Sequence, residues 1–156
     1  MRLLLDTTYL LPAIGISIRG VPRTIVHDLQ REGHTLSICT ITIFELAAKG
    51  ARLIVSGKLE HRRVQEGLGA ILHDSRIVQV PYQEPHIISR AIAMREEMDD
   101  FIDCLIISSA AMEADALVTE DEELHHIFSR ESTRTKLSPV NPAFGVHTSR
   151  RVPKLP

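Results

Sequence analysis

The sequence predicts an α/β fold built on a parallel sheet, and three observations carry that prediction. Short apolar or β-branched runs alternate with longer segments whose apolar residues recur at helical spacing. Polar residues able to cap a helix directly follow the first two of those runs. Size fits one domain, because 156 residues with 44% hydrophobic and 24% charged side chains can bury a core of their own.

Taken in chain order, Leu3-Leu4-Leu5 reads as a buried strand ending at Asp6, and Thr35 to Cys39 as a second. Helical spacing runs over Val21 to Glu32, Ile41 to Ser56, Lys58 to Asp74, Glu84 to Met98 and Asp100 to Ala114, with Gly33, Gly57 and Pro81 as punctuation. Further strands read at Arg76 to Val80, Ala116 to Val118 and Lys136 to Val140. The folded domain is expected over residues 1–140. An irregular basic tail over 141–156, marked by Pro142, Pro153 and Pro156, is expected to follow it.

Composition narrows the setting. The apolar run after Arg2 is too short for the core of a signal peptide, and no stretch approaches the roughly 18 uninterrupted apolar residues of a membrane span. A cytoplasmic protein without membrane contact is expected. Cys39 and Cys104 are far apart and lack CxxC spacing, which suits inert buried thiols in a reducing compartment. A formal charge of −2 exerts no global pull on nucleic acid, so any such contact must come from local basic patches or from metal.

Four acids fall where an open parallel sheet binds its ligands, beyond the carboxyl ends of the strands. Asp6 follows the first strand, Glu45 lies early in the helix after the second, Asp103 opens the helix Ile102 to Met112, and Asp121 follows the strand Ala116 to Val118. Carboxylates brought to one crevice repel one another and raise one another's pKa values. A cation relieves that repulsion, and an oxygen-only donor set suits Mg²⁺ or Mn²⁺. Each acid also has a structural role open to it. Asp6 can cap a helix starting near Tyr9, Thr42 and Glu45 have the spacing of a capping box, and Asp100, Asp103 and Asp121 favour helix N-termini. Capping does not explain why four segments each supply an acid to the same edge.

These segments, covering about residues 1–140, resemble the PIN domain. Leu3-Leu4-Leu5-Asp6-Thr7 is similar to its first motif, and Ser37 to Leu46, with Glu45 in the acidic place, to its second. Asp103 opening the apolar helix through Ala111 is similar to the third, and Leu117-Val118-Thr119-Glu120-Asp121 to the fourth. The resemblance implies a three-layer α/β/α fold with a central parallel sheet of about five strands. It also implies a Mg²⁺- or Mn²⁺-dependent endoribonuclease acting on single-stranded RNA, with Asp6, Glu45, Asp103 and Asp121 as the metal-binding catalytic acids. Thr119 would support Asp6 from behind. Metal-activated water would leave a 5′-phosphate and a 3′-hydroxyl. Two departures stand out: Glu120, expected on a solvated face, and Asp100, one turn before Asp103, whose role stays open.

Other chemistries fit poorly. Gly50 and Gly57-Lys58 have the wrong gap for a phosphate loop and read as a helix break, with Leu59 where Ser or Thr should stand. His125 and His126 are adjacent, not four apart as a zinc pair on one helix face would be. Ser108-Ser109 lies inside an apolar helix without a nucleophile elbow. Lys49, Arg52, Lys58, Arg62 and Arg63 form one basic group, and Arg130, Arg134, Lys136, Arg150, Arg151 and Lys154 a second, both of which read as ordinary solvated charge. Lys49 and Arg52, one and two turns beyond Glu45, are the candidates for RNA phosphates. With 4% aromatics and no Trp, base stacking contributes little.

Two functions from different classes follow. One is a ribonuclease serving as the toxin of a toxin–antitoxin pair, with an antitoxin protein as partner. The other is a non-catalytic PIN-fold RNA-binding or assembly module in ribosomal RNA processing. A homodimer is expected in addition, if Val21 to Glu32 and Lys58 to Asp74 leave apolar surface uncovered.

Overall fold

The computed structural model describes residues 1–137 and 141–153. Strands β1 (Arg2–Leu5), β2 (Thr35–Cys39), β3 (Ile77–Val80), β4 (Ala116–Val118) and β5 (Gly145–His147) form one sheet in the order β3-β2-β1-β4-β5. All neighbours are parallel. Helices α1 (Ile25–Arg31), α2 (Ile41–Val55), α3 (His61–Leu72), α4 (Pro85–Met94), α5 (Phe101–Glu113), α6 (Glu122–Ser129) and α7 (Glu131–Leu137) cover its faces.

Alternation along β1 sorts the core. Leu4 packs toward α4 and α5 with Cys39, Val80 and Leu117. Leu3 and Leu5 pack toward α1, α2 and α3 with Leu36, Ile38, Ala116 and Val118. A central parallel strand buries both faces, so an unbroken leucine run is what it needs. The three-layer α/β/α architecture read from the sequence is the observed one.

Two local expectations are corrected. Lys136 and Leu137 end helix α7, while 138–140 lie outside the described residues, so the strand expected at Lys136 to Val140 is not found in its described part. The fifth strand is β5, within the stretch expected to be irregular. Its backbone pairs with β4 from Ala116↔Gly145 to Val118↔His147. Gly50 is not part of a helix break either. It lies inside α2 with its Cα facing Val64 of α3, and an added Cβ would sit 2.6 Å from the valine Cγ1. Helix α2 ends just before Gly57, whose φ of 69° is cheap only for glycine.

His34, leading into β2, is buried, with no hydrogen bond to either ring nitrogen among the described residues. Burial and the Met1 α-amino group lower its pKa, opposed by Glu32, whose carboxylate lies 3.9 Å away. A folded pKa below the unfolded value means that the folded state resists protonation. The neutral ring's contribution is thus full above about pH 6.5 and is lost as pH falls below it. We expect the urea midpoint of the native protein to drop relative to that of His34→Gln between pH 7.5 and 5.5. A midpoint difference that stays constant over this range would refute the assignment.

Candidate functional site

The sheet reverses its strand order at β1, from which the chain first builds β2 and β3 on one side and later β4 and β5 on the other. Ligands bind at the carboxyl edge of such a switch point. Asp6 leaves β1 there and Thr119-Glu120-Asp121 leaves β4, joined by a hydrogen bond from the Asp6 amide to the Val118 carbonyl at 3.0 Å.

Asp6 is 6% exposed, and both its oxygens are held. Oδ1 accepts from the Thr7 amide at 2.7 Å. Oδ2 accepts from the Thr119 hydroxyl at 2.8 Å and from Thr8 at 3.1 Å. Thr119 Oγ1 in turn accepts the Asp121 amide at 3.0 Å, so one buried hydroxyl ties the two acids together. Burial raises the Asp6 carboxyl above its ordinary range against these three hydrogen bonds, and the Asp121 charge adds to the rise.

Glu45, on the second turn of α2, is half-buried and accepts a hydrogen bond from the Thr7 hydroxyl. The capping box with Thr42 does not form. Thr42 Oγ1 is buried without a partner among the described residues, and the α2 N-terminus has no side-chain cap. Burial raises the Glu45 carboxyl, with Asp6 and Asp100 adding to it and Thr7 and Lys49 opposing.

Asp103 is pushed up to about 7 by burial, and then by the charges of Asp100, Asp6, Asp121 and Glu45. The cap of α5 is Asp100, whose Oδ1 accepts the Ile102 amide at 2.8 Å and the Asp103 amide at 3.4 Å. Asp121 caps α6 in the same way through Oδ1, accepting from Glu123 at 2.7 Å and Leu124 at 3.2 Å. Each cap uses one oxygen, so capping does not compete with a second role for the other. Lys49 and Arg52 are exposed on the far half of α2.

All four acids singled out in the sequence therefore act on one another electrostatically at one edge, with Asp100 as a fifth. Among the described residues no three acidic, histidine or cysteine side chains are close enough to form a finished metal cage. The donor set is carboxylate only, with its outermost acids half-committed to caps, and it fits a hard divalent cation that keeps several waters.

Comparison with protein families matches the PIN domain over residues 3–128. The chain belongs to the PIN domain family. Comparison with curated protein sequences gives no match. Among solved structures, the crystal structure of VapBC2 from Rickettsia felis bound to a DNA fragment from their promoter has a TM-score of 0.59 at 20% identity, covering 94% of this chain and 98% of that one. That likeness is one of fold.

This PIN domain departs from the sequence expectation at Glu120. It is not on a solvated face: its Oε1 accepts from the Tyr9 hydroxyl at 2.6 Å, the Ser149 hydroxyl at 3.0 Å and the Ser149 amide at 3.3 Å. Burial pushes the Glu120 carboxyl up, but these hydrogen bonds and the Arg150 charge outweigh it and lower the pKa. Tyr9 Oη also accepts the Ser149 amide at 2.9 Å. Sequence spacing gave no sign of this cluster. The partnership of Thr7 with Glu45 was equally hidden, although a hydroxyl pair directly after a strand-end Asp was a visible cue.

Proposed function

We propose that this PIN domain is a metal-dependent endoribonuclease that hydrolyses phosphodiester bonds of single-stranded RNA, acting as the toxin of a toxin–antitoxin pair. The observation that carries this reading is Asp103, driven to about 7 by burial and by four other carboxylates at the sheet edge. Structural capping offers no reason to accumulate that much unfavourable charge, whereas a divalent cation turns it into affinity.

Asp6, Glu45, Asp103 and Asp121 would hold Mg²⁺ or Mn²⁺, which supplies an activated water and neutralises charge on the phosphate oxygens. The chain's own work is positioning. Thr119 and Thr8 fix the Asp6 carboxylate, and Thr7 fixes Glu45, so neither acid has to be reoriented when it binds. Lys49 and Arg52, exposed beyond Glu45, would meet phosphates flanking the cut. The likeness in fold to VapBC2 supports an antitoxin protein as partner.

A homodimer belongs to the same proposal on altered grounds. α1 and α3 bury Ile25, Leu29, Val64 and Ile71, while the most exposed large apolar residues include Phe44 and Val55 on α2 and Ile92 on α4. Among the described residues no helix is long and apolar enough to cross a membrane. Light scattering should give twice the chain mass, and a monomer at high concentration would remove the dimer.

The deciding experiment incubates purified protein with end-labelled single-stranded RNA in Mg²⁺, in Mn²⁺ and with chelator. Metal-dependent fragments carrying 5′-phosphate and 3′-hydroxyl ends are expected. RNA left intact under every metal condition would overturn the nuclease reading.

A further inference from the structure

Several of the basic residues in the chain are already engaged. Arg2 pairs with Asp115, Arg62 with Glu66, Arg76 with Asp74, and Lys136 with both Glu96 and Glu97. Arg63 donates to the Pro12 carbonyl, and Arg130 to that of Glu97. Among the described residues Arg19 and Arg151 have no side-chain hydrogen-bond partner, and Arg150 reaches only the Gly20 carbonyl. All three are exposed, and among the described residues none has a carboxylate within ion-pair distance. They nevertheless line one cleft of about 680 Å³, together with Thr148, Glu120 and Glu122.

The fold holds this cleft against the acid cluster. Glu120 stands between Thr119, which orients Asp6, and Asp121. Its carboxylate clamps Ser149, the first residue of the short 3-10 turn Ser149–Arg151 that carries two of the three arginines. The Thr119 amide donates to the His147 carbonyl at 2.9 Å, so pairing of β4 with β5 delivers that turn to the site. Arg150 Nη2 lies 3.5 Å from the Gly20 carbonyl, next to Arg19. Of the two acids in the cleft, Glu120 is occupied by Tyr9 and Ser149, leaving Glu122 as the only one without such partners.

We propose that this cleft is a second anion-binding surface, which grips the phosphate backbone of single-stranded RNA on one side of the cut through Arg19, Arg150 and Arg151. The inference rests on the ribonuclease reading and extends it to the route of the substrate. Unpaired guanidinium groups match phosphates by shape and charge. The lining carries the Thr148 hydroxyl and a single ring, the His125 imidazole, whose Nε2 lies 3.0 Å from the Thr119 carbonyl, so it suits backbone contact with little base readout. RNA is favoured over an acidic protein segment because two lining residues, Glu120 and Glu122, flank Asp121 in the chain, one of the acids that would hold the metal facing a scissile phosphate. A strand bound at both places would have its flanking charge neutralised by the arginines. Glu120 is then a positioning residue, acting through the turn that it holds.

The test uses the full chain and its Arg150→Ala/Arg151→Ala variant, with a labelled 12-nucleotide RNA of mixed sequence. Binding is followed by anisotropy in Ca²⁺ over a salt series, and cleavage in Mn²⁺. The variant should bind about tenfold more weakly, with a log–log salt slope shallower by about 1.4, or ~0.7 for each lost phosphate contact. Its KM should rise while kcat stays within about twofold, a split that general destabilisation would not produce. If the native protein cleaves RNA but the variant's KM and salt slope are unchanged, the cleft is overturned and the nuclease reading stands. If RNA binding depends on the two arginines but no metal cleaves it, the cleft stands and the nuclease reading falls. Loss of polyglutamate binding with unchanged RNA binding would assign the cleft to an acidic protein segment and overturn the proposal.

Discussion

Asp6→Asn should abolish both the response to metal and RNA cleavage while leaving the fold intact. The amide has the shape of the carboxylate, and its oxygen can still accept the Thr7 amide. Thr8 and Thr119, which donate to Oδ2 in the native protein, can turn their hydroxyls to accept from the new NH₂ group. Without metal the variant should be as stable as the native protein or more so, because Asp103 loses one of the charges that repel it. With metal the order reverses. Mn²⁺ at 100 times its Kd should stabilise the native protein by about 2.7 kcal/mol, or roughly 5–10 °C in Tm for a domain of this size. The variant should show little of that rise. Its cleavage rate should fall by more than the 10–100-fold typical of losing a residue that merely supports a ligand. Asn caps a helix turn about as well as Asp, so a purely structural Asp6 predicts equal melting shifts and equal cleavage. Thermal melts with and without Mn²⁺, read beside the RNA assay, decide between them.

The second large effect is on stability. Gly67 of α3 faces the 3-10 turn Leu11–Ile14, and a Cβ there would lie 2.2 Å from the Ala13 carbonyl oxygen and 2.9 Å from the Ile14 Cα. Those atoms are backbone, so no rotamer change makes room. Gly67→Ala gains about 1 kcal/mol of helix propensity but incurs overpacking of about 3 kcal/mol, for a net loss of roughly 2. Gly69, two residues along the same helix, has open space at its Cβ position, and Gly69→Ala should stabilise by about 0.5–1 kcal/mol. Urea midpoints of the two variants should therefore move in opposite directions. A Gly67→Ala protein as stable as the native one would show that the helix and the turn do not meet as described. The clash also bears on function, because the turn continues from Thr7, Thr8 and Tyr9. Displacing it should loosen Glu45 and Asp6 and lower cleavage together with stability.

The sheet and the acids were legible for related reasons. β1 and β2 lie at the sheet centre, where burial on both faces demands continuous apolar runs, and such runs are visible without a partner strand. Asp6, Glu45, Asp103 and Asp121 each follow a recognisable element boundary, so reading the elements placed the acids. β5 was missed for the opposite reason. Gly145-Val146-His147 has neither length nor alternation, and it is a strand because β4 offers an unpaired edge. Of the competing expectation at Lys136 to Val140, Lys136 and Leu137 are held in α7 instead. Helix signals faltered in the same region, where α6 and α7 are only eight and seven residues long and leave little room for a 3.6-residue period to show.

What the sequence by itself determined is the architecture and the identity of the acidic groups, since both follow from patterns contained within single segments. Tertiary structure alone decided how those acids are held and what surrounds them. Thr7 reaches Glu45 across 38 positions, Tyr9 reaches Glu120 across 111, and Ser149 reaches Tyr9 across 140. Side-chain hydrogen bonds of that span leave no periodicity along the chain. They exist because parallel pairing on both sides of β1 brings the ends of β1, β4 and β5 to one edge, where buried polar groups must find partners in one another.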